Sequence, residues 1–320
     1  MSEDTKYRPR RSCLSVPGSS VKMIGKAQTL ASDQVFLDLE DSVAPPAKAA
    51  ARANVVKGLN EGDWSGKTRV VRVNDADTEW ALEDVLTVVR GAGRNLDCIM
   101  LPKVEKVSHI NWLDLLLTQL EKEVGISVGS IGIEAQIEGP AGLSEIEAIA
   151  AATPRIETLI FGPGDFMAAM KMPTLTIGAS DSHGANPFDG VLLQIATIAR
   201  KYGIQAIDGP FAVIKDGDGY RSTAERAAAF GFDGKWVLHP AQIDIANDVF
   251  APSQEAYDKA EVILDAYAYY TSEEGGNLGA VMLGNEMIDE ASRKLALANA
   301  ERGRLLNMKR TTQFEPAQRS

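Results

Sequence analysis

The sequence predicts an α/β fold, a (β/α)₈ TIM barrel with a C-terminal helical extension. Eight short apolar runs rich in β-branched residues are each closed by turn residues. Helical patterns of apolar residues lie between consecutive runs, and a polar or ionisable residue follows almost every run. A doubly wound sheet is the alternative, because periodicity does not show whether a sheet closes. It is disfavoured because no GxGxxG motif follows the first run.

The runs and the patterns between them give the elements of the barrel in chain order. The predicted strands are Ser12–Val16, Gln34–Leu39, Arg69–Val73, Cys98–Leu101, Ile131–Ile137, Thr158–Phe161, Gln205–Ile207 and Lys235–Leu238. The predicted helices are Val21–Ala31, Ala47–Leu59, Thr78–Arg90, Val107–Val124, Leu143–Ala151, Phe188–Tyr202 and Tyr220–Phe230. The long connection Lys171–Pro187 is rich in turn residues, and a loop of this length is typical of a cover over a functional site.

Two helical stretches follow the eighth strand. Gln254–Thr271 is separated from Ile288–Leu306 by a glycine-rich break at Glu273–Gly279, which is typical of a hinge. We therefore predict a barrel domain over residues 1–250 and a helical extension over residues 251–320. A helix beyond a hinge indicates packing, an oligomer contact or a lid.

The composition excludes several classes of function. The 33 basic and 44 acidic residues give a net charge of −11, which disfavours nonspecific binding to nucleic acid. The polar N-terminus lacks an apolar signal core, and no run of about 18 apolar residues occurs, so we expect a cytoplasmic protein with no membrane segment. Cys13 and Cys98 lie in apolar runs and are predicted to be reduced core thiols.

Two carboxylates are predicted to converge at the mouth of the barrel. Glu138 follows the fifth strand, and Asp165 follows the sixth strand after Gly162-Pro163-Gly164. Paired carboxylates at the carboxyl ends of neighbouring parallel strands suit a hard divalent cation such as Mg²⁺. The alternative is that Glu138 interacts with a helix dipole and Asp165 caps the next helix. These two residues alone favour neither interpretation.

Other candidate residues follow other strands. Arg72 lies in an apolar run, so it needs a carboxylate partner or an anionic substrate, and we favour the substrate. Of the adjacent Glu40 and Asp41, at most one is expected to face the mouth. The turn Ser15–Ser20 with Lys22 and Lys26 resembles an anion-binding turn, although the lysines also fit a solvated helix face. His109 is predicted to lie at the surface.

A set of motifs resembles a known family over most of the chain, from about Arg11 into the C-terminal region. The motifs are PGSS, VFLDLEDSVAPPAKAAAR, VRVN, IMLPKV, QIEGPAG, GPGDFM, DGPF and GKWVLHPAQI. They are similar to those of the HpcH/HpaI–citrate lyase β-subunit superfamily, and within it most similar to those of malyl-CoA lyases. The resemblance implies a TIM barrel that binds Mg²⁺, with Mn²⁺ as an alternative ion, through Glu138 and Asp165.

The resemblance also implies roles for further residues. Arg72 matches the family's substrate arginine, and the tail GNEMIDEAS resembles a lid motif whose aspartate, here Asp289, enters the neighbouring subunit's site. Where the malyl-CoA lyases carry an arginine in the first loop, this chain has Ser20, so Lys22 is the candidate for the CoA phosphates. The remaining candidate positions for substrate or CoA are Ser15, Val16, Lys26, Asp41, Gly164, Leu238 and His239.

The function implied is reversible retro-aldol cleavage of malyl-CoA or β-methylmalyl-CoA to acetyl-CoA or propionyl-CoA and glyoxylate. Because a lid must reach a neighbour, a homotrimer or homohexamer is expected. Citramalyl-CoA cleavage, and malate synthase or malyl-CoA thioesterase activity at the same site, remain open. A subunit like citrate lyase β is the non-autonomous alternative, and it is disfavoured by the lid motif, because citrate lyase β-subunits lack that extension.

Overall fold

The structure is a computed structural model that describes residues 8–178 and 186–316. Eight parallel strands form a closed barrel in sequential order, with β1 paired to both β2 and β8. This confirms the predicted barrel and excludes the open, doubly wound sheet. The strands are β1 Ser12–Pro17, β2 Gln34–Asp38, β3 Thr68–Arg72, β4 Cys98–Leu101, β5 Gly132–Ile137, β6 Ile156–Phe161, β7 Gln205–Asp208 and β8 Gly234–Val237.

Helices follow each strand and cover the outside of the barrel. They are α1 Val21–Ala27, α2 Lys48–Glu61, α3 Ala81–Ala92, α4 Val107–Val124, α5 Pro140–Ser144, α6 Ile146–Ala150, α7 Pro163–Ala169, α8 Asp189–Tyr202, α9 Gly217–Ala229 and α10 Ile243–Val249. Side chains such as Leu37, Val71 and Ile133 pack outward against these helices in one continuous core. Alternate side chains, including Phe36, Met100 and Trp236, fill the interior of the barrel.

Two predictions around the fifth and sixth strands differ from the structure. The predicted helix Leu143–Ala151 is interrupted at Glu145, whose ψ of 6° is not helical, so two short helices form. The turn predicted after β6 is instead the start of α7, where Pro163 occupies the first helical position. Proline suits that position because its missing N–H has no partner in a first turn.

A fully buried arginine closes the interior at the N-terminal ends of the strands. Arg10 Nε donates to Glu134 Oε1 at 2.7 Å and to Gln34 Oε1 at 3.0 Å. Its Nη1 and Nη2 donate to Gln205 and Glu157 at 2.5 and 2.6 Å. Breaking such a buried charged network costs several kcal/mol, because it leaves charges without partners. The interior of the barrel is therefore filled at this end, and the residues predicted to form the site lie at the opposite, C-terminal end.

Residues after Phe250 form a second compact unit. It contains α11 Gln254–Thr271, a hairpin of β9 Val281–Leu283 and β10 Glu286–Ile288, and α12 Glu290–Leu305. Its core is built largely from alanines and Ile288, which lets α11 and α12 approach closely. The hairpin was not predicted, because each of its strands has only three residues. None of the described helices is long and apolar enough to cross a membrane.

Candidate active site

The Glu138 carboxyl lies at the C-terminal end of the barrel, immediately after β5. It is 6% exposed and contacts the carboxylate of Asp165. Burial, together with contact with this second acid, raises the pKa of Glu138 to about 8. Asp165 lies in the first turn of α7, and its side chain is 46% exposed. The structure thus brings together the two acids that the sequence singled out.

The structure does not support a capping role for Asp165, although its place in the first turn of α7 suits the helix dipole. Neither α5, which follows Glu138, nor α7, which contains Asp165, has a side-chain cap hydrogen bond. A Cβ at Gly162 would collide with the Glu138 side chain, so the backbone at this position leaves room for a buried carboxylate. Two adjacent acids held in this way are costly without a cation to share.

This donor set fits Mg²⁺, which prefers oxygen ligands and commonly keeps several waters. Among residues 8–178 and 186–316, no three His, Cys, Asp or Glu side chains are grouped as a closed metal site. Two protein carboxylates would therefore leave coordination positions to water and substrate oxygens. Glu138 and Asp165 are the residues that would hold the ion.

Arg72, at the end of β3, is held by two carboxylates. Its Nε and Nη2 donate to the two oxygens of Asp38, each at 2.8 Å, and its Nη1 lies 2.9 Å from Glu40 Oε2. The Arg72 guanidinium carbon lies 5.1 Å from the centre of the Trp236 ring. The sequence required a carboxylate partner or an anionic substrate, and the structure supplies the partner. A fixed guanidinium of this kind is pre-organised to meet a second anion.

Glu40, and not Asp41, is the buried member of the adjacent pair. Glu40 is 5% exposed, whereas the Asp41 side chain is 60% exposed and lies 3.9 Å from Arg72 at its nearest oxygen. Lys48 fixes the backbone here by donating to the carbonyls of Leu39 and Glu40 at 2.9 and 3.0 Å. The two acids do not divide between opposite faces as predicted, because they follow β2 rather than lie in it. Both reach the Lys103 ammonium, Asp41 with its Oδ1 at 3.5 Å.

Lys103, which sequence reasoning did not select, connects Glu40 with the pair formed by Glu138 and Asp165. Its ammonium contacts Glu40 Oε1 and lies 3.9 Å from Asp165 Oδ2, and its backbone N–H donates to Glu138 Oε1 at 3.3 Å. The carboxylates on either side raise the pKa of Lys103 against the opposing effect of burial, so it stays charged. The pattern Pro102-Lys103 after a strand was the available signal, but lysine beside a strand end is too common to be distinctive.

A cavity of about 310 Å³ adjoins the acid pair and is lined in part by Lys103, Asp165 and His109. His109 is 4% exposed, so the expectation that it lies at the surface is wrong. It belongs to the first turn of α4, and its Nε2 lies 3.3 Å from Asp77 Oδ2, on the loop that covers this turn. A larger cavity of about 640 Å³ lies at the opposite end of the strands, around Trp64 and Lys67, away from the acid pair.

The candidate CoA positions lie on neighbouring strands. β1 and β8 pair at Leu14 and Val237, which places Ser15 and Val16 beside Leu238 and His239 at the same end of the barrel. Val16 is buried, Ser15 and Leu238 are partly buried, and His239 is exposed, with its Nδ1 accepting a hydrogen bond from the N–H of Ala241 at 3.2 Å.

The two candidate lysines and the glycine of the α7 turn show different degrees of exposure. Lys22 and Lys26 are exposed on α1, whose N-cap is Ser20. Gly164 is partly buried at the start of α7. Part of the predicted covering loop, residues 179–185, lies outside the described residues.

Asp289 begins the last helix of the second unit. Its Oδ1 accepts hydrogen bonds from the N–H groups of Ala291 and Ser292 at 2.9 and 3.0 Å, and the Ser292 hydroxyl completes a capping box. These bonds lower the pKa of Asp289. The acid is therefore a structural cap of α12 as well as the candidate lid residue.

Comparisons with known proteins show which family the sequence resembles. Residues 11–240 match the family model described as HpcH/HpaI aldolase/citrate lyase. The chain is 37% identical over 299 residues to the L-malyl-CoA/β-methylmalyl-CoA lyase of Cereibacter sphaeroides (strain ATCC 17029), covering 90% of this chain and 93% of that protein. It is 32% identical to the citrate lyase subunit β of Escherichia coli K12, covering 90% and 91%.

The fold is also similar to that of a solved structure that contains bound ligands. The protein CitE from Mycobacterium tuberculosis, crystallised in complex with magnesium, acetoacetate and coenzyme A, has a TM-score of 0.71 to this structure. The two chains are 25% identical, and the match covers 92% of this chain and 98% of CitE.

Proposed function

The chain belongs to the HpcH/HpaI aldolase/citrate lyase family, and from that membership we propose a Mg²⁺-dependent lyase acting on CoA thioesters. The reaction proposed is reversible cleavage of malyl-CoA or β-methylmalyl-CoA to glyoxylate and acetyl-CoA or propionyl-CoA. The observation that carries it is the Glu138–Asp165 pair beside the fixed guanidinium of Arg72, in a chain 37% identical to a lyase named for these substrates.

The cleavage step breaks a carbon–carbon bond. The hydroxyl of the substrate gives its proton to solvent, and its carbon becomes the aldehyde carbon of glyoxylate. The electron pair of the broken bond forms the enolate of the acyl-CoA, which then takes up one proton at carbon. When held by Glu138 and Asp165, Mg²⁺ would supply Lewis acidity toward the hydroxyl and carboxylate oxygens of the substrate.

Arg72 is proposed to stabilise the charge that develops on the thioester oxygen. Asp38 and Glu40 hold its guanidinium before substrate arrives, so no reorganisation is needed during the reaction. Stabilisation by pre-organised donors is commonly the largest contribution to catalysis of this kind.

Asp289 of a neighbouring subunit is proposed to protonate the enolate carbon during cleavage and to remove that proton during condensation. Lid closure would exclude water from the enolate. The exposed face of the hairpin before Asp289 supports a contact between chains, because Met282 and Met287 pair across it and are each 60% exposed. The lid role requires a homotrimer, a homohexamer or another oligomer in which one chain reaches the next.

The defining experiment mixes purified protein, Mg²⁺ and glyoxylate with acetyl-CoA or propionyl-CoA, and follows free thiol and acyl-CoA products together. Malyl-CoA or methylmalyl-CoA without thiol release is expected, with no product in EDTA or with Glu138→Gln. Thiol release with free malate would instead indicate malate synthase or thioesterase activity. Product only with pyruvate in place of glyoxylate would indicate a citramalyl-CoA lyase.

A second candidate function is that of a citrate lyase β-like subunit working on a carrier-bound acyl group. The 32% identity to the Escherichia coli subunit favours it. Absence of product from every free acyl-CoA, with activity on an acyl group attached to a carrier protein, would replace the first proposal with this one.

A further inference from the structure

Lys103 has an unusual backbone conformation for its residue type. Its φ is 49°, in the left-handed region that favours glycine. Such conformations persist in non-glycine residues where the surroundings hold them, and they concentrate at functional sites. Here the N–H of Lys103 donates to Glu138 Oε1 at 3.3 Å, and the N–H of the next residue, Val104, donates to the carbonyl of Gln136 at 3.0 Å. The strained turn is thus held by hydrogen bonds to β5 and to Glu138, which follows it.

The Lys103 ammonium lies among three carboxylates. It donates a hydrogen bond to Glu40 Oε1 and lies 3.5 Å from Asp41 Oδ1 and 3.9 Å from Asp165 Oδ2. The Lys103 side chain is 28% exposed and lines the cavity beside the acid pair. Its location places a fixed positive charge between Glu40 and the two proposed metal ligands.

Glu40 is a third acid near those ligands, since the Lys103 ammonium that it contacts also lies 3.9 Å from Asp165 Oδ2. It is 5% exposed, and its negative charge acts on Glu138. Both of its oxygens are already engaged, Oε1 by Lys103, and Oε2 by Arg72 Nη1 at 2.9 Å and by the N–H of Asp41 at 3.1 Å. Of these contacts, only the one from Lys103 restrains Oε1.

We propose that Lys103 is a positioning residue that keeps Glu40 out of the coordination sphere of the metal. A site with two carboxylates leaves positions for the hydroxyl and carboxylate oxygens of the substrate. A third carboxylate would bind the ion more tightly while occupying a position that the substrate needs. The inference rests on the proposed Mg²⁺ site and deepens it by naming what sets its number of ligands.

The test measures metal affinity without substrate, by titration calorimetry with Mg²⁺ and by electron paramagnetic resonance with Mn²⁺. Lys103→Met frees Glu40 Oε1, so binding about tenfold tighter than wild type is expected, because affinity follows the number of charged ligands. The kcat should fall at the same time. Unchanged or weaker metal binding would overturn the proposal, because a merely structural role would loosen the site.

A second variant separates ligation from loss of charge. In a Glu40→Gln background, Lys103→Met should tighten metal binding little or not at all, since the added ligand is missing. Equal tightening in both backgrounds would mean that the charge acts at a distance, and it would overturn the proposal. Should Lys103→Met fold poorly, Lys103→Gln replaces it with the same expected tightening and the same overturning result.

Two controls complete the design. Lys103→Arg keeps the cation and is expected to keep metal affinity near that of wild type. Lys57 forms an exposed ion pair with Glu61 on α2, on the outside of the barrel, at 3.8 Å, so Lys57→Met should change neither affinity nor turnover. Failure of the wild-type protein to bind Mg²⁺ would overturn the proposed function together with this inference. Binding by wild type without tightening in Lys103→Met would overturn this inference alone.

Discussion

A side chain at Gly162 would occupy the space of Glu138: a Cβ built there lies 2.4 Å from Glu138 Cγ and 2.8 Å from its Cδ. The residue that follows β5 and the residue that follows β6 are therefore fitted to each other at the proposed metal site. The absence of a side chain at one position is what allows a buried carboxylate at the other.

Gly162→Ala is expected to displace Glu138 and to weaken Mg²⁺ binding by at least about tenfold, because one of two ligands moves. Calorimetric titration with Mg²⁺ measures this effect. Gly190→Ala is the matched control, since a Cβ there meets nothing within 4 Å and the residue lies in helix α8. Metal binding at wild-type strength in Gly162→Ala would show that the Glu138 carboxylate is not a ligand.

Stability of the metal-free protein should depend on pH through Glu138. Its pKa is about 8 in the folded protein, against 4.5 for an ordinary glutamate. Between these values the folded state binds more protons than the unfolded state. The contribution of Glu138 to the free energy of unfolding is therefore highest at low pH and falls as the pH rises to about 8. The loss should reach a few kcal/mol, at about 1.4 kcal/mol per pKa unit.

Chemical denaturation in EDTA from pH 5 to 8.5 measures this dependence. Other groups titrate as well, so the difference between wild type and Glu138→Gln is the informative quantity, and the variant should be the more stable at high pH. Parallel curves for the two proteins would contradict the assignment. Added Mg²⁺ should stabilise only the wild-type protein strongly, and most above pH 8.

Arg72→Lys should lower turnover by at least about 100-fold, because a lysine cannot reproduce the paired contacts with Asp38 while also meeting the substrate. Metal affinity should change little. Arg69 on the same strand provides the control, since it forms a similar ion pair with Asp97 at the opposite end of the barrel, at 2.9 and 3.3 Å. Equal losses of turnover in Arg72→Lys and Arg69→Lys would indicate a structural effect only.

The test of Asp289 must separate its acidity from its capping. Asp289→Ser keeps an N-cap side chain, so the melting temperature should stay near that of wild type, while turnover falls about 10²- to 10⁴-fold with loss of a general acid. Asp289→Ala should lose the cap as well and melt at a lower temperature. Asp216→Ser, at the N-cap of α9, is the matched control and should keep full turnover. Unaltered turnover in Asp289→Ser would refute the lid assignment.

Mixed oligomers test whether the lid acts between chains. Co-expression of the inactive Glu138→Gln and Asp289→Ser chains should restore part of the activity, because one chain supplies intact metal ligands and its neighbour an intact lid. Two separately purified variants should stay inactive until their subunits exchange. No restoration in verified mixed oligomers would place Asp289 in the site of its own chain, or in none.

Much of the barrel could be predicted because buried parallel strands appear in the sequence as short apolar runs. β4, α4 and α11 begin and end at the predicted residues. The first or last residues of the other predicted helices and strands differ from the observed ones by one to four residues, because a side chain or a cap determines where the element ends. The hairpin β9–β10 and α10 were missed because three-residue strands and a seven-residue helix carry too little periodicity.

The proximity of Glu138 and Asp165 could be predicted because acids that follow neighbouring parallel strands meet at one end of a barrel, and Arg72 was noticed as a guanidinium within an apolar run. Lys103 was not selected, and Asp41 rather than Glu40 was given as a substrate position, because the contact that joins Glu40 to Lys103 links residues 63 positions apart. His109 was misplaced because its burial depends on a loop that closes over the first turn of α4, and no local pattern records that.

Arg10 forms hydrogen bonds with residues that are synthesised much later than Arg10 itself. Its partner Gln205 leaves the ribosome 195 residues later, which at about 5–20 residues per second is roughly 10–40 seconds. Gln34 and Glu157 emerge earlier, 24 and 147 residues after Arg10, so throughout that interval the guanidinium lacks at least one of its final acceptors. The first strands are thus kept from settling into a closed, native interior by themselves, and completion of the barrel becomes a late event that involves the whole domain.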